Sequence, residues 1–183
     1  MTEIILYPTE TIYGLGVNAF DQAAWEHLCV LKARETAQTA SWLVRDLGDI
    51  ERLGVVTEAA RQLVERYLPG PLTLVLAASD VVPVYCRAAD DTVSFRISSD
   101  SLAQQLIAEY MKESDGVPLT CTSANVHGEP TAASPAEILA QFGERAHMIT
   151  KVIDGGVREG QASTVVRCVG GGVEVLREGM VKI

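Results

Sequence analysis

Four segments of this sequence place hydroxyl side chains, glycines and isolated cations where they could hold an anionic ligand. The first is Pro8-Thr9-Glu10-Thr11-Ile12-Tyr13-Gly14-Leu15-Gly16, whose glycines let backbone approach a ligand and whose hydroxyls offer hydrogen bonds. A polar strand-to-helix loop with capping threonines explains the same residues equally well. The second is Lys32-Ala33-Arg34 at the expected end of a helix, where cations also complement the helix dipole with no ligand at all. The third, Thr120-Cys121-Thr122-Ser123-Ala124-Asn125, is a strand end running into donors and acceptors, and an ordinary turn accounts for its last three residues. The fourth joins Asp154-Gly155-Gly156 to Ser163-Thr164, with Arg177 on the next strand, and Asp-Gly-Gly alone reads as a turn.

Such groups do chemistry by positioning and by stabilising charge. No G-x-S-x-G elbow, Walker A loop, G-x-G-x-x-G fingerprint or H-E-x-x-H pair occurs, so hydrolysis through an activated nucleophile is poorly supported. Cys29, Cys86, Cys121 and Cys168 form no C-x-x-C pair, and His27, His127 and His147 are scattered. That argues against a zinc site and a disulfide scaffold, and reduced thiols fit the cytoplasm. Net charge is −9, with no basic cluster larger than two, which weighs against stable nucleic-acid binding.

The elements that must position these groups follow from periodicity. The 183 residues suit one domain, 1–183. No apolar run approaches the roughly 20 residues needed to cross a bilayer, and the first residues lack the basic start of a signal peptide, so a cytoplasmic protein away from membranes is expected. Strands are predicted over 3–7, 41–45, 72–77, 92–97, 119–122, 148–153, 163–168 and 173–177. Helices are predicted after Asp21 to about Arg34, from Thr57 to Tyr67, from Asp100 to about Met111, and from a Ser134-Pro135-Ala136-Glu137 capping box to Gly143. Strands interleaved with helices predict an α/β domain with a twisted, mixed parallel and antiparallel sheet flanked by helices around a central ligand crevice.

Taken in order, eight segments resemble the YrdC-like family of threonylcarbamoyl-AMP synthases. They are the 8–16 stretch, Lys32-x-Arg34, Pro69-Gly70-Pro71-Leu72-Thr73, Thr92-Val93-Ser94-Phe95-Arg96, Ser123-Ala124-Asn125, Asp154-Gly155-Gly156, Ser163-Thr164-Val165-Val166 and Leu176-Arg177-x-Gly179. The resemblance implies an L-threonylcarbamoyladenylate synthase, a nucleotidyltransferase making threonylcarbamoyl-AMP and pyrophosphate from L-threonine, bicarbonate and ATP for tRNA t6A modification. It implies Mg²⁺ carried on the ATP phosphates and a downstream tRNA-modifying transferase complex that takes the adenylate. It assigns Lys32 and Arg34 to catalysis on the phosphates. It assigns Thr11, Arg96, Cys121 and Ser163 to L-threonine, and Arg34, Gln38, Thr92, Ser123, Asn125, Thr131 and Arg177 to ATP. The family's usual Lys-Gly-Arg-Pro reads Lys32-Ala33-Arg34-Glu35 here, and neutral Gln38 replaces a phosphate-facing lysine or asparagine. This departure makes a divergent paralogue that binds ATP with weak or different carbamate adenylation the first alternative. An RNA-binding module is the second.

Overall fold

A computed structural model describes residues 3–36 and 39–183. Its strands are β1 (Ile5–Tyr7), β2 (Gly14–Gly16), β3 (Ser41–Leu43), β4 (Leu72–Ala77), β5 (Thr92–Arg96), β6 (Leu119–Ser123), β7 (Lys151–Val152), β8 (Thr164–Arg167) and β9 (Glu174–Arg177). Its α-helices are α1 (Gln22–Lys32), α2 (Leu47–Leu53), α3 (Glu58–Tyr67), α4 (Ser101–Glu113) and α5 (Pro135–Phe142). The strands form one sheet in the order β7-β1-β2-β6-β3-β5-β4-β8-β9. The β1–β7, β3–β5 and β4–β8 pairs are parallel and the others antiparallel, the mixed sheet that the sequence predicts.

The helices start where their capping residues stand. Asp21, Thr57 and Asp100 accept from backbone N–H groups of the first turn, and Ser134 and Glu137 complete the capping box. Helix α1 ends at Lys32 because Ala33 takes a left-handed conformation (φ 52°) and its N–H turns back to Cys29 and Val30.

Two elements differ from expectation. Helix α2 is absent from the sequence reading: its seven residues are too few for a periodic signal, and only Asp46, accepting from Asp49 N–H, marks its start. Gly14–Gly16, expected as loop, is a strand. Glycine is depleted in strands because it packs nothing, yet here a Cβ on Gly14 would lie 3.0 Å from the Tyr7 ring and one on Gly16 would lie 2.7 Å from the Thr120 carbonyl. The strand exists because its neighbours approach too closely for a side chain.

Alternation along the strands sorts the sheet into two unlike faces. Leu72, Leu74 and Leu76 of β4, Phe95 of β5 and Trp42 of β3 bury one face against α2 and α3, and Leu6 and Leu15 continue it beneath α1 and α5. The opposite face carries Ile5, Tyr7, Leu43 and Leu119 under α4. Beside that cluster it presents the intervening residues Ser41, Thr73, Arg96, Cys121 and Ser123, which are short or polar and line a cavity.

Candidate functional site

The cavity holds about 300 Å³. Its walls include Thr9, Tyr13, Thr39, Ser41, Thr73 and Arg96 on one arc and Cys121, Thr122, Ser123, Thr131, Ser163 and Arg177 on the other. Among the described residues no carboxylate lines it, and the formal charges they bring to its walls are two guanidinium groups.

Arg96 is the better buried of these, at 6% exposure. One edge of its fork is engaged: Nη2 donates to Glu10 Oε1 at 2.8 Å and to Thr11 Oγ1 at 2.5 Å. Glu10 in turn accepts from the Ser98 hydroxyl and from Ser99 N–H at 3.2 Å. Burial would raise the Glu10 carboxyl, but the Arg96 guanidinium and the Ser98 hydroxyl outweigh it and hold the group below its ordinary value. Burial likewise opposes the Arg96 cation, and Cys121 and Glu10 beside it more than compensate, raising its pKa. Its Nε is buried and has no hydrogen-bond partner among the described residues. An orphaned guanidinium donor this deep is costly unless something accepts from it, and a carboxylate is the acceptor that matches a fork.

Arg177 crosses from β9 to close the far wall. Its Nε and Nη2 donate to Ser163 O at 3.2 and 2.8 Å, and Ser163 Oγ lies 2.8 Å from Thr73 Oγ1. Burial first and repulsion from Arg96 second lower the Arg177 pKa. Two cations repelling each other across a cavity with no anion in its walls make a seat for an anionic ligand.

At the other end of the cavity, the residues assigned to the phosphates are arranged differently. Lys32 is 2% exposed and does not line the wall. Its Nζ donates to Ser123 O, to Asn125 O at 2.8 Å and to Asn125 Oδ1 at 3.2 Å, which uses all three ammonium protons. Burial, with Arg34 second, brings the Lys32 ammonium down to about 7. Arg34 lies 5.0 Å over the Trp25 ring and reaches the wall residues Thr39 (Nη2 to O, 3.0 Å) and Thr122 (Nη1 to Oγ1, 3.4 Å). Asn125 accepts from Ser123 Oγ at 2.6 Å and donates to Glu129 O at 2.6 Å, which closes the turn.

Of the residues singled out from sequence, Arg96, Cys121, Ser123, Thr131, Ser163 and Arg177 therefore stand together on the wall. Thr11 stands behind it, fully buried and bound to Arg96 and to Thr9 Oγ1 at 2.9 Å. Lys32 and Asn125 support the wall from outside, and Arg34 touches it through Thr39 and Thr122. Thr92 does not line this cavity: it lies at the far end of β5, four residues from Arg96, and its hydroxyl donates to Asp90 at 2.6 Å. Gln38 lies outside the described residues.

Sequence reasoning gave no role to Glu10, Ser98, Thr73, Asp100 or Arg158. Arg158 binds the 154–163 strap across the first loop: Nη2 pairs with Asp100 Oδ2 at 2.8 Å and Nε donates to Thr9 O at 3.1 Å. Gly160 N–H donates to Thr11 O at 3.0 Å, and a Cβ on Gly160 would lie 2.2 Å from that oxygen. Glu10 sits inside the first polar segment, and its acid between two threonines was the available signal. Asp100 was legible only as a cap, and nothing local to Arg158 announces a partner 58 residues away.

Comparison with known proteins bears on the same segments. The Sua5/YciO/YrdC family model, described as "Telomere recombination", matches residues 2–179. A threonylcarbamoyl-AMP synthase of Pyrococcus abyssi is 36% identical over 169 residues, which is 90% of this chain and 46% of that protein. One from Vibrio cholerae is 29% identical over 179 residues, 96% of this chain and 90% of that protein. A crystal structure of P. abyssi Sua5 complexed with L-threonine superposes with a TM-score of 0.84 at 33% identity, covering 97% of this chain and 50% of that one. The chain thus spans about half the length of the Pyrococcus protein. Since the family model takes in the first polar loop, Arg96, the Ser123–Asn125 turn and the strand that carries Arg177, the chain belongs to the Sua5/YciO/YrdC family.

Proposed function

We propose that this protein is an L-threonylcarbamoyladenylate synthase, a nucleotidyltransferase that converts L-threonine, bicarbonate and ATP to threonylcarbamoyl-AMP and pyrophosphate. The observation that carries the reading is Arg96: a buried guanidinium tied to Glu10 through Nη2, its Nε unpartnered, beside Arg177 in a cavity that no carboxylate of the described residues lines. The names of the Pyrococcus and Vibrio relatives and the L-threonine in the P. abyssi crystal structure support it.

In this reading Arg96, with its unpartnered Nε, holds the amino-acid carboxylate, and the hydroxyls of Ser163 and Thr73 accompany it. The threonine nitrogen takes up the carbon of bicarbonate, a C–N bond forms and water leaves. A carbamate oxygen then attacks the α-phosphorus, an O–P bond forms and pyrophosphate departs. The carboxylate, the carbamate and the triphosphate are all anionic, so bringing them together requires cations. Arg96 and Arg177 supply charge at the amino-acid end. Arg34, Ser123 and Thr131 stand toward the nucleotide, and Lys32 acts on it by fixing the Ser123–Asn125 turn.

Among the described residues no group of three or more His, Cys, Asp or Glu side chains stands together. In this reading Mg²⁺ is carried on the nucleotide phosphates. Among the described residues no helix is long and apolar enough to cross a membrane. The reactive adenylate calls for a tRNA-modifying transferase as its consumer, for t6A formation.

Pyrophosphate release from ATP in bicarbonate buffer with Mg²⁺ tests the proposal. Release that depends on both L-threonine and bicarbonate is expected. Release indifferent to L-threonine would overturn the substrate assignment.

A further inference from the structure

We propose that Cys121 is a thiol-modification site inside the amino-acid cavity, selective for disulfides that carry a carboxylate beside the sulfur. Three observations lead to it. Cys121 is half-buried on β6 and its residue lines the cavity, whereas Cys29 and Cys168 are sealed in the core. Arg96 lines the same cavity, and its Nε is a buried donor without a partner among the described residues. Among the described residues the walls hold a second cation, Arg177, and no carboxylate. A partly accessible thiol in an electropositive setting is where thiolate chemistry concentrates. The other cysteines are held back: burial raises the thiols of Cys29 and Cys168, and pushes Cys86 up to about 11.

The second cation and the open Nε give the site its selectivity. A disulfide of an α-amino acid can set its carboxylate on Arg96 and bring its sulfur to Cys121. The Cys121 thiol loses its proton to solvent and the thiolate attacks one sulfur of the disulfide. A bond forms between Sγ and that sulfur, the original S–S bond breaks, and the other half leaves as a thiolate that takes a proton from water. The adduct fills the amino-acid end of a cavity of about 300 Å³, so the site is shut until a thiol reductant reverses the exchange. This closes the pocket to the amino acid in the reading proposed above, on which the regulatory consequence rests; the modification itself does not.

The test uses native full-length chain with L-cystine and, separately, cystamine, which has the same disulfide but lacks the carboxylates. Adducts are located by peptide mass mapping, and each rate is referred to that of the same cysteine in urea-unfolded protein. L-Cystine is expected to modify Cys121 before the other three cysteines. Its native-to-unfolded rate ratio should exceed that of cystamine by about tenfold, the factor that one charged hydrogen bond confers. First reaction at another cysteine, or equal ratios for the two disulfides, would overturn the proposal. Excess L-threonine should slow the cystine reaction. Cystine selectivity without that protection leaves the site standing and counts against L-threonine as the cavity's substrate.

Discussion

The two ends of the cavity are built on opposite plans. At the Arg96 end, charge is buried and cross-linked but left unfinished: Glu10 and Thr11 hold Nη2 of the guanidinium, Ser98 holds Glu10, and Nε has no partner among the described residues. At the Lys32 end, the ammonium is equally buried yet complete, with three oxygen acceptors from one turn. An incomplete buried donor is a binding group, because a ligand alone relieves it. A completed one is a brace, whose effect on a ligand passes through whatever it holds. The same chain thus uses two buried cations for two jobs, and the number of open donors tells them apart.

The strongest way to break this contrast is to remove Arg96. Arg96→Ala takes away the carboxylate fork and strands Glu10 in a largely buried position, which costs about 3–5 kcal/mol of stability for a buried pair that loses one partner. Arg96→Lys keeps a charge for Glu10 but not the fork, and should fold better while still binding L-threonine about 10- to 100-fold more weakly. Calorimetry with each ligand checks this. ATP affinity is expected to change much less, and equal losses for both ligands would erase the distinction between the two ends.

Removing the brace should do less and do it elsewhere. Lys32→Met takes the ammonium donor from Ser123 O, Asn125 O and Asn125 Oδ1; Ser123 O keeps Asn125 N–H and Oδ1 keeps Ser123 Oγ, so the penalty of about 1–3 kcal/mol falls mainly on Asn125 O. Nucleotide binding should weaken with L-threonine binding nearly intact. The pH dependence sharpens the point. The Lys32 pKa falls to about 7 in the folded chain, while an unfolded lysine titrates near its ordinary value of about 10.4. Between these values the unfolded chain binds more protons, so this residue makes stability rise with pH from about 7 to about 10. Below the folded value the lysine's full penalty is present. The melting temperature of wild type relative to Lys32→Met should therefore climb across that window, and a flat difference would mean that the ammonium is not depressed.

How far the two ends were legible in the sequence differs for the same physical reason. Strand alternation in Leu72–Ala77 and Thr92–Arg96 disclosed which residues share a face, and capping chemistry at Asp21, Thr57, Asp100 and Ser134 fixed the helix starts. The wall residues Arg96, Ser123, Ser163 and Arg177 came instead from the family resemblance, and the structure places them together on that face and its ends. What stayed hidden is partnership over distance. That Lys32 spends its protons on a turn 91 to 93 residues away cannot be read from Lys-x-Arg, and neither can the Glu10–Arg96 pair. Asp100 looked like a cap and is one through Oδ1, while Oδ2 separately takes Arg158.

That last pair gives a smaller effect. Arg158→Ala removes the latch between the 154–163 strap, Thr9 O and Asp100, in an ion pair 24% and 10% exposed. Hydrogen exchange at the amides of 155–160 should speed up. L-threonine affinity should drop by a few-fold, because Thr9 lies next to Glu10 and Ser163 ends the strap. Asp100→Asn retains the cap and should reproduce most of the exchange effect. If exchange stays slow in both variants, the strap is held by Tyr13, whose hydroxyl accepts from Gly155 N–H at 2.9 Å and donates to Gly156 O at 2.7 Å.

The smallest expected effect tests the limits of the site. Thr92 shares a strand and a face with Arg96, which is why its segment drew attention, but a strand advances about 3.3 Å per residue and four residues separate them by about 13 Å. Its hydroxyl is spent on Asp90, which also takes Arg167 Nη1 at 2.5 Å on an exposed corner of β8. Thr92→Val keeps the β-branched shape and removes only that hydroxyl bond, so thermal stability should fall slightly. Burial is close to complete at Thr92, so the loss of one donor to Asp90 sets the scale, about 1 kcal/mol. Affinities for ATP and L-threonine should stay within twofold of wild type. A clear loss of nucleotide affinity in this variant would mean that the nucleotide reaches past the cavity described here to the far end of β5, and the boundary between binding wall and scaffold would have to move with it.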